Sequence, residues 1–267
     1  MTWAFKRQIF YVAVLLLFIS VFVFLIIYPK LNKAPTCSDN KQNGTETGID
    51  CGGLCARACL AKVDDISVLW SRAFKVIPGR YNAVAYLVNH NENTAVKKLN
   101  YRFRFADANN VYIGKREGST FVPPGGAFAV FEPGIDIGNS IPVYVSFEFT
   151  QTPLWLQVSP EKVNQLKVFI SDINLEDETS YGLNATNSPK LSAKIKNYSL
   201  FTIPQIKLIA ILYDELGNAI SASSTYIEEL KREEESEVIF TWPETFSKKV
   251  FKQEIIPMYD IFSAALK

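Results

Sequence analysis

The sequence predicts a mainly β protein with one N-terminal transmembrane α-helix, a small disulfide-rich module and two tandem antiparallel, immunoglobulin-like β-sandwich domains. Three observations carry this prediction: an uncharged apolar run near the N-terminus, four cysteines within one short segment, and two similar stretches with strand-like alternation. The expected division is a cytoplasmic tail at 1–8, the transmembrane helix at 9–28, a stalk and cysteine module at 29–62, sandwich domains at 63–158 and 159–250, and a C-terminal tail at 251–267.

The first element is the apolar run Ile9–Tyr28, which contains no charge, glycine or proline. A helix of this length covers about 30 Å, the thickness of the hydrocarbon core of a bilayer. A cleaved signal peptide is the alternative, but such a peptide has a shorter apolar core followed by small residues at a cleavage site. Here the run ends in Tyr28-Pro29-Lys30, so we expect an uncleaved signal-anchor.

The orientation follows from the flanking residues. Lys6 and Arg7 precede the run and Lys30 and Lys33 follow it, which favours a cytoplasmic N-terminus only slightly. Clustered cysteines directly after the helix favour the same topology, with the body of the protein outside the cytoplasmic membrane. The formal net charge of +1 gives no electrostatic reason for nucleic-acid binding, so the expected partners are the lipid bilayer and other proteins of the cell envelope.

The second element is the cysteine segment, with Cys37, Cys51, Cys55 and Cys59. An even number of cysteines in an extracellular segment with few apolar residues predicts two disulfides, and three pairings are possible. A zinc site is the alternative, although the paired C-x2-C spacing of zinc ribbons is missing. The acidic loop 39–50 is either a polar, turn-rich loop or a calcium site, because carboxylate oxygens are calcium ligands.

This segment resembles a short cysteine module of bacterial and archaeal surface proteins, of the form C-x-D-G-x-x-N-G-x-E-T-G-x-D-C-G-G-x-C-x-x-C. Twelve positions correspond, while Asn40 replaces the first glycine and Cys59 comes one residue late. The resemblance implies an extracellular prokaryotic context and no catalytic role. The corresponding residues are Cys37, Asp39, Asn43, Gly44, Glu46, Thr47, Gly48, Asp50, Cys51, Gly52, Gly53 and Cys55.

The third element is an internal repeat in which Asn89 corresponds to Asn197 and Asp107 to Asp214. Within each copy, apolar and polar residues alternate, as in a strand with one buried face. Turn residues bound these strands, a pattern typical of a two-sheet antiparallel sandwich. The apolar positions of the alternating strands are Leu99, Tyr101, Phe103 and Phe105; Val143, Val145, Phe147 and Phe149; and Leu191, Ala193 and Ile195.

Three segments fit the pattern less well. Ile206–Tyr213 is apolar on both faces, so it is either a central strand covered on both sides or an exposed strip that binds a partner. The charged run 228–237 is expected to be a helical turn or an exposed loop. The apolar tail 251–267 is expected either to pack against the second domain or to serve as an amphipathic docking segment.

At these residues the chain resembles the FxLYD-type extracellular β-sandwich family. The second copy carries Leu212-Tyr213-Asp214, with Ala210 at the place of the phenylalanine. The first copy carries Phe103, Phe105 and Asp107, with Ala106 at the place of the tyrosine. The resemblance implies two surface-exposed β-sandwich domains and no catalytic residues.

The sequence therefore predicts that the protein is not an enzyme and that it has no catalytic, cofactor-binding or metal-binding residues. His90 is the single histidine, and neither phosphate-binding, dinucleotide-binding nor hydrolase motifs occur. The leading hypothesis is a membrane-anchored structural protein that presents its sandwiches for protein contacts at the cell envelope. The alternative is a small-ligand or lipid-binding receptor, lined by aromatic residues such as Tyr101, Phe103, Trp155 and Trp242. A hydrolase ranks third.

Overall fold

The computed structural model describes residues 3–31, 35–177 and 188–266. The chain divides into a unit that ends at Leu54 and a larger unit, here called the body, that begins at Cys55. Residues 1–2, 32–34, 178–187 and 267 fall within the predicted tails, stalk and second domain, and they lie outside the described residues.

The first unit begins with helix α1, Trp3–Leu31. Its apolar part, Arg7–Tyr28, has a mean hydropathy of 3.1 and is long enough to cross a membrane. The side chains of this part are not covered by the rest of the described chain, and burying so much apolar surface requires an apolar solvent. By length and composition the helix is therefore a membrane anchor or a signal sequence, and it contains the predicted span 9–28.

The acidic loop after α1 uses its carboxylates to satisfy its own backbone. The Asp50 carboxylate accepts hydrogen bonds from the backbone N–H groups of Asp39 and Asn40, at 2.9 Å each. The Glu46 carboxylate accepts from the Asn43 N–H at 3.1 Å. This is the polar, turn-rich loop of the prediction, in which side chains take over the pairing that a strand ladder would provide.

All four cysteines are disulfide-bonded, in the pairs Cys37–Cys55 and Cys51–Cys59. The prediction of two disulfides is confirmed, and of the three possible pairings this one is present. Gly53 permits the tight turn of the loop because its φ is +59° and a Cβ there would collide with the Thr45 carbonyl oxygen. A residue with a side chain would be strained at this position for both reasons.

The regular secondary structure of the body is mainly strand, as its β-branched and aromatic composition predicts. A short helix, α2 (Pro160–Gln165), separates two sets of strands, and the Ser159 hydroxyl accepts from the Lys162 N–H at its N-terminus. The first set is β1 Ser67–Ile77, β2 Arg80–Asn89, β3 Thr94–Ala106, β4 Tyr112–Val122, β5 Gly126–Asp136, β6 Tyr144–Phe149 and β7 Trp155–Gln157. The second set is β8 Val168–Glu176, β9 Lys190–Asn197, β10 Phe201–Tyr213, β11 Ala219–Leu230, β12 Glu235–Thr241, β13 Lys252–Met258 and β14 Ala265–Leu266.

These strands form four antiparallel sheets, and the two sets pair in the same order. Sheet I is β4-β3-β6 with β7 beside β3, and sheet II is β1-β2-β5. Sheet III is β11-β10-β13 with β14 beside β10, and sheet IV is β8-β9-β12. Sheets I and II enclose one core and sheets III and IV enclose another, so each set is a β-sandwich, as predicted.

The predicted alternation decides which side chains fill the two cores. The apolar faces of β3 and β9 are buried, while the polar residues between them point outward. In β6 the match is weaker, because Val143 precedes the strand and is exposed. The confirmed core positions are Leu99, Tyr101, Phe103, Phe105, Leu191, Ala193 and Ile195.

Strand β10 is covered on both faces. Of the two structures predicted for its apolar segment, the central strand is therefore confirmed and the exposed strip is wrong. Leu208 and Leu212 point into the core of the second sandwich. Ile209, Ile211 and Tyr213 point the other way and join the cluster of the first sandwich. The cover on that face is sheet II, so within the body the sheets stack in the order I, II, III and IV.

The predicted C-terminal tail, 251–267, contributes two strands to sheet III. β13 pairs with β10 along Lys252–Met258, and β14 pairs with Phe201 and Thr202. The apolar residues of this segment therefore complete sheet III, which agrees with the alternative that the tail packs against the second domain. The charged run 228–237 contains the tight turn between β11 and β12, where the Lys231 N–H donates to the Glu234 carboxylate at 2.6 Å.

The two outermost sheet faces of the body are charged. On sheet I, Arg102 pairs with Glu117 and Glu148, and Arg104 pairs with Glu148. On sheet IV, Lys194 pairs with Asp172. Exposed pairs of this kind add little stability individually. Because of these charges, the outer faces of sheets I and IV are both well solvated by water.

Candidate functional site

The interface between sheets II and III carries several polar contacts across an apolar background. The Asn82 amide donates to the Ala222 carbonyl at 3.1 Å, and the Lys207 ammonium donates to the Phe131 carbonyl at 2.8 Å. The Arg72 guanidinium donates to the Ala219 carbonyl at 3.1 Å. Each contact pairs a polar group that the apolar surface would otherwise leave unsatisfied, which fixes the register between the sandwiches.

A carboxylate held by two phenols lies in the same interface. Tyr86 from sheet II and Tyr213 from sheet III donate their hydroxyls to the two oxygens of Glu254, at 2.8 and 2.7 Å. Burial, assisted by the hydrogen bond to Glu254, raises the pKa of Tyr86 to about 12 and raises the pKa of Tyr213 as well. The phenols therefore remain neutral donors, and they link the sandwiches through charge-assisted hydrogen bonds.

A second carboxylate cluster lies inside the first sandwich. Glu132 is buried and accepts from the Tyr101 hydroxyl at 2.6 Å and from the Arg116 guanidinium at 2.8 Å. Burial and the bond to Glu132 raise the pKa of Tyr101. Gly118 leaves the necessary room, because a Cβ there would overlap both Tyr101 and Glu132. The charge of Glu132 is thus compensated as a buried charge requires.

Near the edge of the interface, a cleft of about 300 Å³ opens between the sandwiches. One wall is β1 from Ala73 to Val76, and the other is the start of β11 with the loop 242–247. Phe74, Trp242 and Phe246 supply aromatic surface, and the rings of Trp242 and Phe246 meet edge to face with their centroids 5.3 Å apart. Ligand sites in proteins are concave, mostly apolar and of at least this size, so this cleft is the candidate functional site.

The four aromatic residues predicted to line one site lie at different places in the structure. Trp242 lines the cleft. Phe103 is fully buried in the first core, and Trp155 is buried in the same core, opposite Val96 of β3. Tyr101 belongs to the Glu132 cluster and borders a smaller cavity of about 140 Å³. His90 is exposed and its ring forms a hydrogen bond with the Ser67 hydroxyl at 3.0 Å.

The partners of Trp242 in this site could not be read from the sequence. Phe74 looks like an ordinary core residue of a strand. Outside the cleft, Glu254 of the interface looks like a solvated charge in a tail. The available signal for Glu254 is its position in an otherwise apolar segment, since a charged residue there often has a buried partner. The association of β1 with β11 depends on how two domains meet, which strand periodicity does not encode.

The fold and cleft define the class of this protein: a chain of two stacked β-sandwiches preceded by an apolar helix. No protein-family model and no curated protein matches the sequence. Among solved structures, red sea bream transglutaminase aligns with a TM-score of 0.25 and 9% identity over 74% of this chain and 31% of that one. A Bacteroides uniformis β-glucuronidase aligns with a TM-score of 0.21 and 12% identity over 68% and 26%. The chain thus spans about a third or less of either protein.

Proposed function

We propose that this chain is a single-pass membrane protein that holds its two-sandwich body outside the cytoplasmic membrane for contacts with other envelope proteins. The observation that carries the proposal is an apolar patch at one end of the first sandwich. More than half of each side-chain surface is exposed there, which is typical of an interaction site. The patch consists of Val111, Tyr112, Ile141, Val143 and Tyr144.

The position of this patch suits contact with a partner. It is formed by the turn after β3 and the loop before β6, which are joined where the Val143 N–H donates to the Ala106 carbonyl at 2.9 Å. The segment that leads into β1 lies at the opposite end of this sandwich, where the Asp64 N–H donates to the Asn91 side chain. Binding residues of sandwiches commonly lie on such end loops. The proposal gives the chain no catalytic role.

Photo-crosslinking in living cells tests this function. We expect a photoreactive phenylalanine at position 112 to give one discrete adduct with another envelope protein, and Tyr144→Ser to abolish it. The same probe at Thr241, which is exposed on sheet IV, is the matched control and should give no such adduct. An adduct pattern that is the same at both positions, or none at position 112, would refute the proposed role of the patch.

The proposed topology rests on the disulfides. Disulfides persist in oxidising compartments and are rare in the cytosol, so a module with four oxidised cysteines favours an external body and a cytoplasmic N-terminus. Labelling of intact cells with a membrane-impermeant maleimide should succeed only after reduction. Cysteines that react without reductant, and only after the cells are opened, would contradict this topology.

The proposed relatives are the two families that the sequence resembles, the cysteine module and the FxLYD-type sandwiches. Supporting this, Asp107 and Asp214 form the same turn: each carboxylate accepts two backbone N–H groups, from Asn109 and Val111 in one copy and from Leu216 and Asn218 in the other. An experimental structure of an established family member with a different strand order would exclude the relationship.

A second candidate function is that of a small-ligand receptor, and the cleft of about 300 Å³ favours it. The cleft combines aromatic walls with several polar side chains, as ligand sites do. Display of the body and ligand binding are compatible functions, because the apolar patch and the cleft share no residue.

A further inference from the structure

The wall of the cleft contains a buried hydrogen-bond donor that has no partner among the described residues. Trp242 is only 6% exposed, and its indole Nε1–H is buried with no acceptor among the described residues. A buried tryptophan normally places this group against an acceptor, since an unpaired donor costs free energy. Such a group in a native protein requires an explanation, and an occupant of the cleft would provide one.

Most of the other polar groups of the cleft can also donate a hydrogen bond. Ser221 is 8% exposed, and its hydroxyl makes no hydrogen bond with the described residues. Thr245 and Ser247 add hydroxyls at the mouth of the cleft, and Lys75 adds an ammonium group. Glu244, the only carboxylate among the described residues that line the cleft, lies 3.5 Å from Lys75. A cleft that offers donors is complementary to a ligand that offers acceptors.

The mouth of the cleft carries a cation that an anionic ligand could recruit. Among the described lining residues, Lys75 and Glu244 are the charged ones, and both are half-exposed, so their ion pair is weak and can exchange. Beyond the lining, Lys248 is paired with Asp214, and Lys249 has no ion pair among the described residues. Lys75 is therefore the cation available to a ligand, while the interior of the cleft remains aromatic.

We propose that the cleft binds a ligand that combines an apolar, preferably aromatic, group with a carboxylate. The apolar group of the ligand would lie between Phe74 and Phe246. The carboxylate would accept hydrogen bonds from Ser221, from Lys75 and, once the indole ring shifts toward the cleft, from Trp242. This chemistry is shared by a free aromatic acid and by the C-terminal residue of a polypeptide. The inference rests on the second candidate function, ligand binding, and does not depend on the display function.

Titration calorimetry on the full chain in detergent micelles tests this proposal. The probes are N-acetylphenylalanine, a short glycine peptide that ends in phenylalanine with a free carboxylate, and the C-terminal amide of each. We expect saturable binding of the acids and much weaker binding of the amides, because the amide carries no charge. Preference for N-acetylphenylalanine identifies a small-molecule site, and preference for the peptide identifies a C-terminus site.

Two variants locate the binding. Trp242→Phe keeps an aromatic ring and removes the donor, so affinity should fall by roughly tenfold, the effect of one charge-assisted hydrogen bond. Ser247 is exposed, so Ser247→Trp fills the mouth without disturbing the core and should abolish binding. Thr150→Trp places the same ring on an exposed turn away from the cleft and should leave the affinity unchanged.

Each contrary outcome has a separate meaning. Equal affinity for acids and amides would overturn the carboxylate class and leave ligand binding intact. Undiminished binding to Ser247→Trp would overturn the cleft as the site. Absence of saturable binding of every probe to the unmodified chain would overturn this proposal, while the crosslinking experiment would still decide the display function.

Discussion

Asn89 and Asn197 hold equivalent turns of the two sandwiches, and both are fully buried. The Asn197 amide donates to the Phe201 and Leu230 carbonyls, at 2.7 and 3.2 Å, and its oxygen accepts from the Ser199 N–H at 2.9 Å. The Asn89 amide makes the corresponding bonds to Thr94 and Pro123. Each asparagine thus joins the turn at the start of one strand to the end of the next.

Asn197→Ala should lower the free energy of unfolding by about 2–4 kcal/mol, because it leaves buried carbonyl and N–H groups without partners. Denaturant unfolding of the full chain in detergent, followed by near-UV circular dichroism, measures the change. Asn139 is exposed and makes no side-chain hydrogen bond with the described residues, so Asn139→Ala serves as the control and should change stability by less than about 0.5 kcal/mol. Equal effects of the two substitutions would refute this structural role.

The sequence repeat places these asparagines in correspondence but does not reveal their burial. A polar residue in a turn is ordinarily exposed. These asparagines are buried because the end of another strand lies next to the turn and accepts their hydrogen bonds. The paired aspartates at 107 and 214 were easier to interpret, since an aspartate that binds N–H groups two and four residues ahead is a local feature.

Because of the two phenols that bind Glu254, the stability of the interface should depend on pH in the alkaline range. A pKa raised in the folded state means that folding favours the neutral phenol, so this stabilisation is complete below the ordinary tyrosine pKa near 10. It declines as the pH rises through about 12, the pKa of Tyr86. Unfolding measured between pH 9 and 12 should show this loss.

The double variant Tyr86→Phe with Tyr213→Phe provides the control for that experiment. It removes both titrating groups from the interface and keeps their rings, so its stability should decline less steeply with pH than that of the unmodified chain. The difference between the two curves isolates the pair from the other tyrosines and lysines. Curves that run parallel over the whole range would show that these phenols do not couple titration to folding.

At the scale of elements, β10 shows what periodicity can and cannot establish. Its unbroken apolar pattern predicts a strand that is covered on both faces, and the structure confirms this. The pattern does not identify the cover, because apolar side chains carry no information about which surface they will contact. The sequence signal for β13 is weak for a related reason: Pro257 lies within this strand, where a proline ordinarily argues against strand structure, and the pairing of β13 with β10 is non-local.

The face of β10 toward sheet II should be energetically part of a core. Ile209 is 1% exposed, so Ile209→Ala should cost about 2–5 kcal/mol of unfolding free energy, the range for deleting a buried aliphatic side chain. Ile239 lies in β12 and is exposed, which makes Ile239→Ala a matched control with an expected change near zero. A small effect at Ile209 would mean that the contact between the sandwiches contributes little to folding.

For the whole molecule, the decisive comparison is between the outward faces of sheets I and III. The repeat places Arg102 and Arg104 of β3 where β10 has Ile209 and Ile211. The isoleucines are buried against sheet II, whereas the arginines remain in solvent and pair with glutamates. The same position in the fold therefore packs against a neighbouring sheet in one sandwich and faces solvent in the other. Because the solvent-facing side is charged, no third sandwich packs against it.

Replacing both arginines by isoleucine tests this argument. The double variant Arg102→Ile with Arg104→Ile would give sheet I an apolar strip like that of β10, and exposed strips of this kind promote association. We expect a concentration-dependent increase in mass by light scattering of the full chain in detergent, while the unmodified chain shows none. The variant with glutamine at both positions removes the charges without adding apolar surface and should behave like the unmodified chain. Association of the glutamine variant would show that charge repulsion, and not the loss of an apolar face, ends the stack.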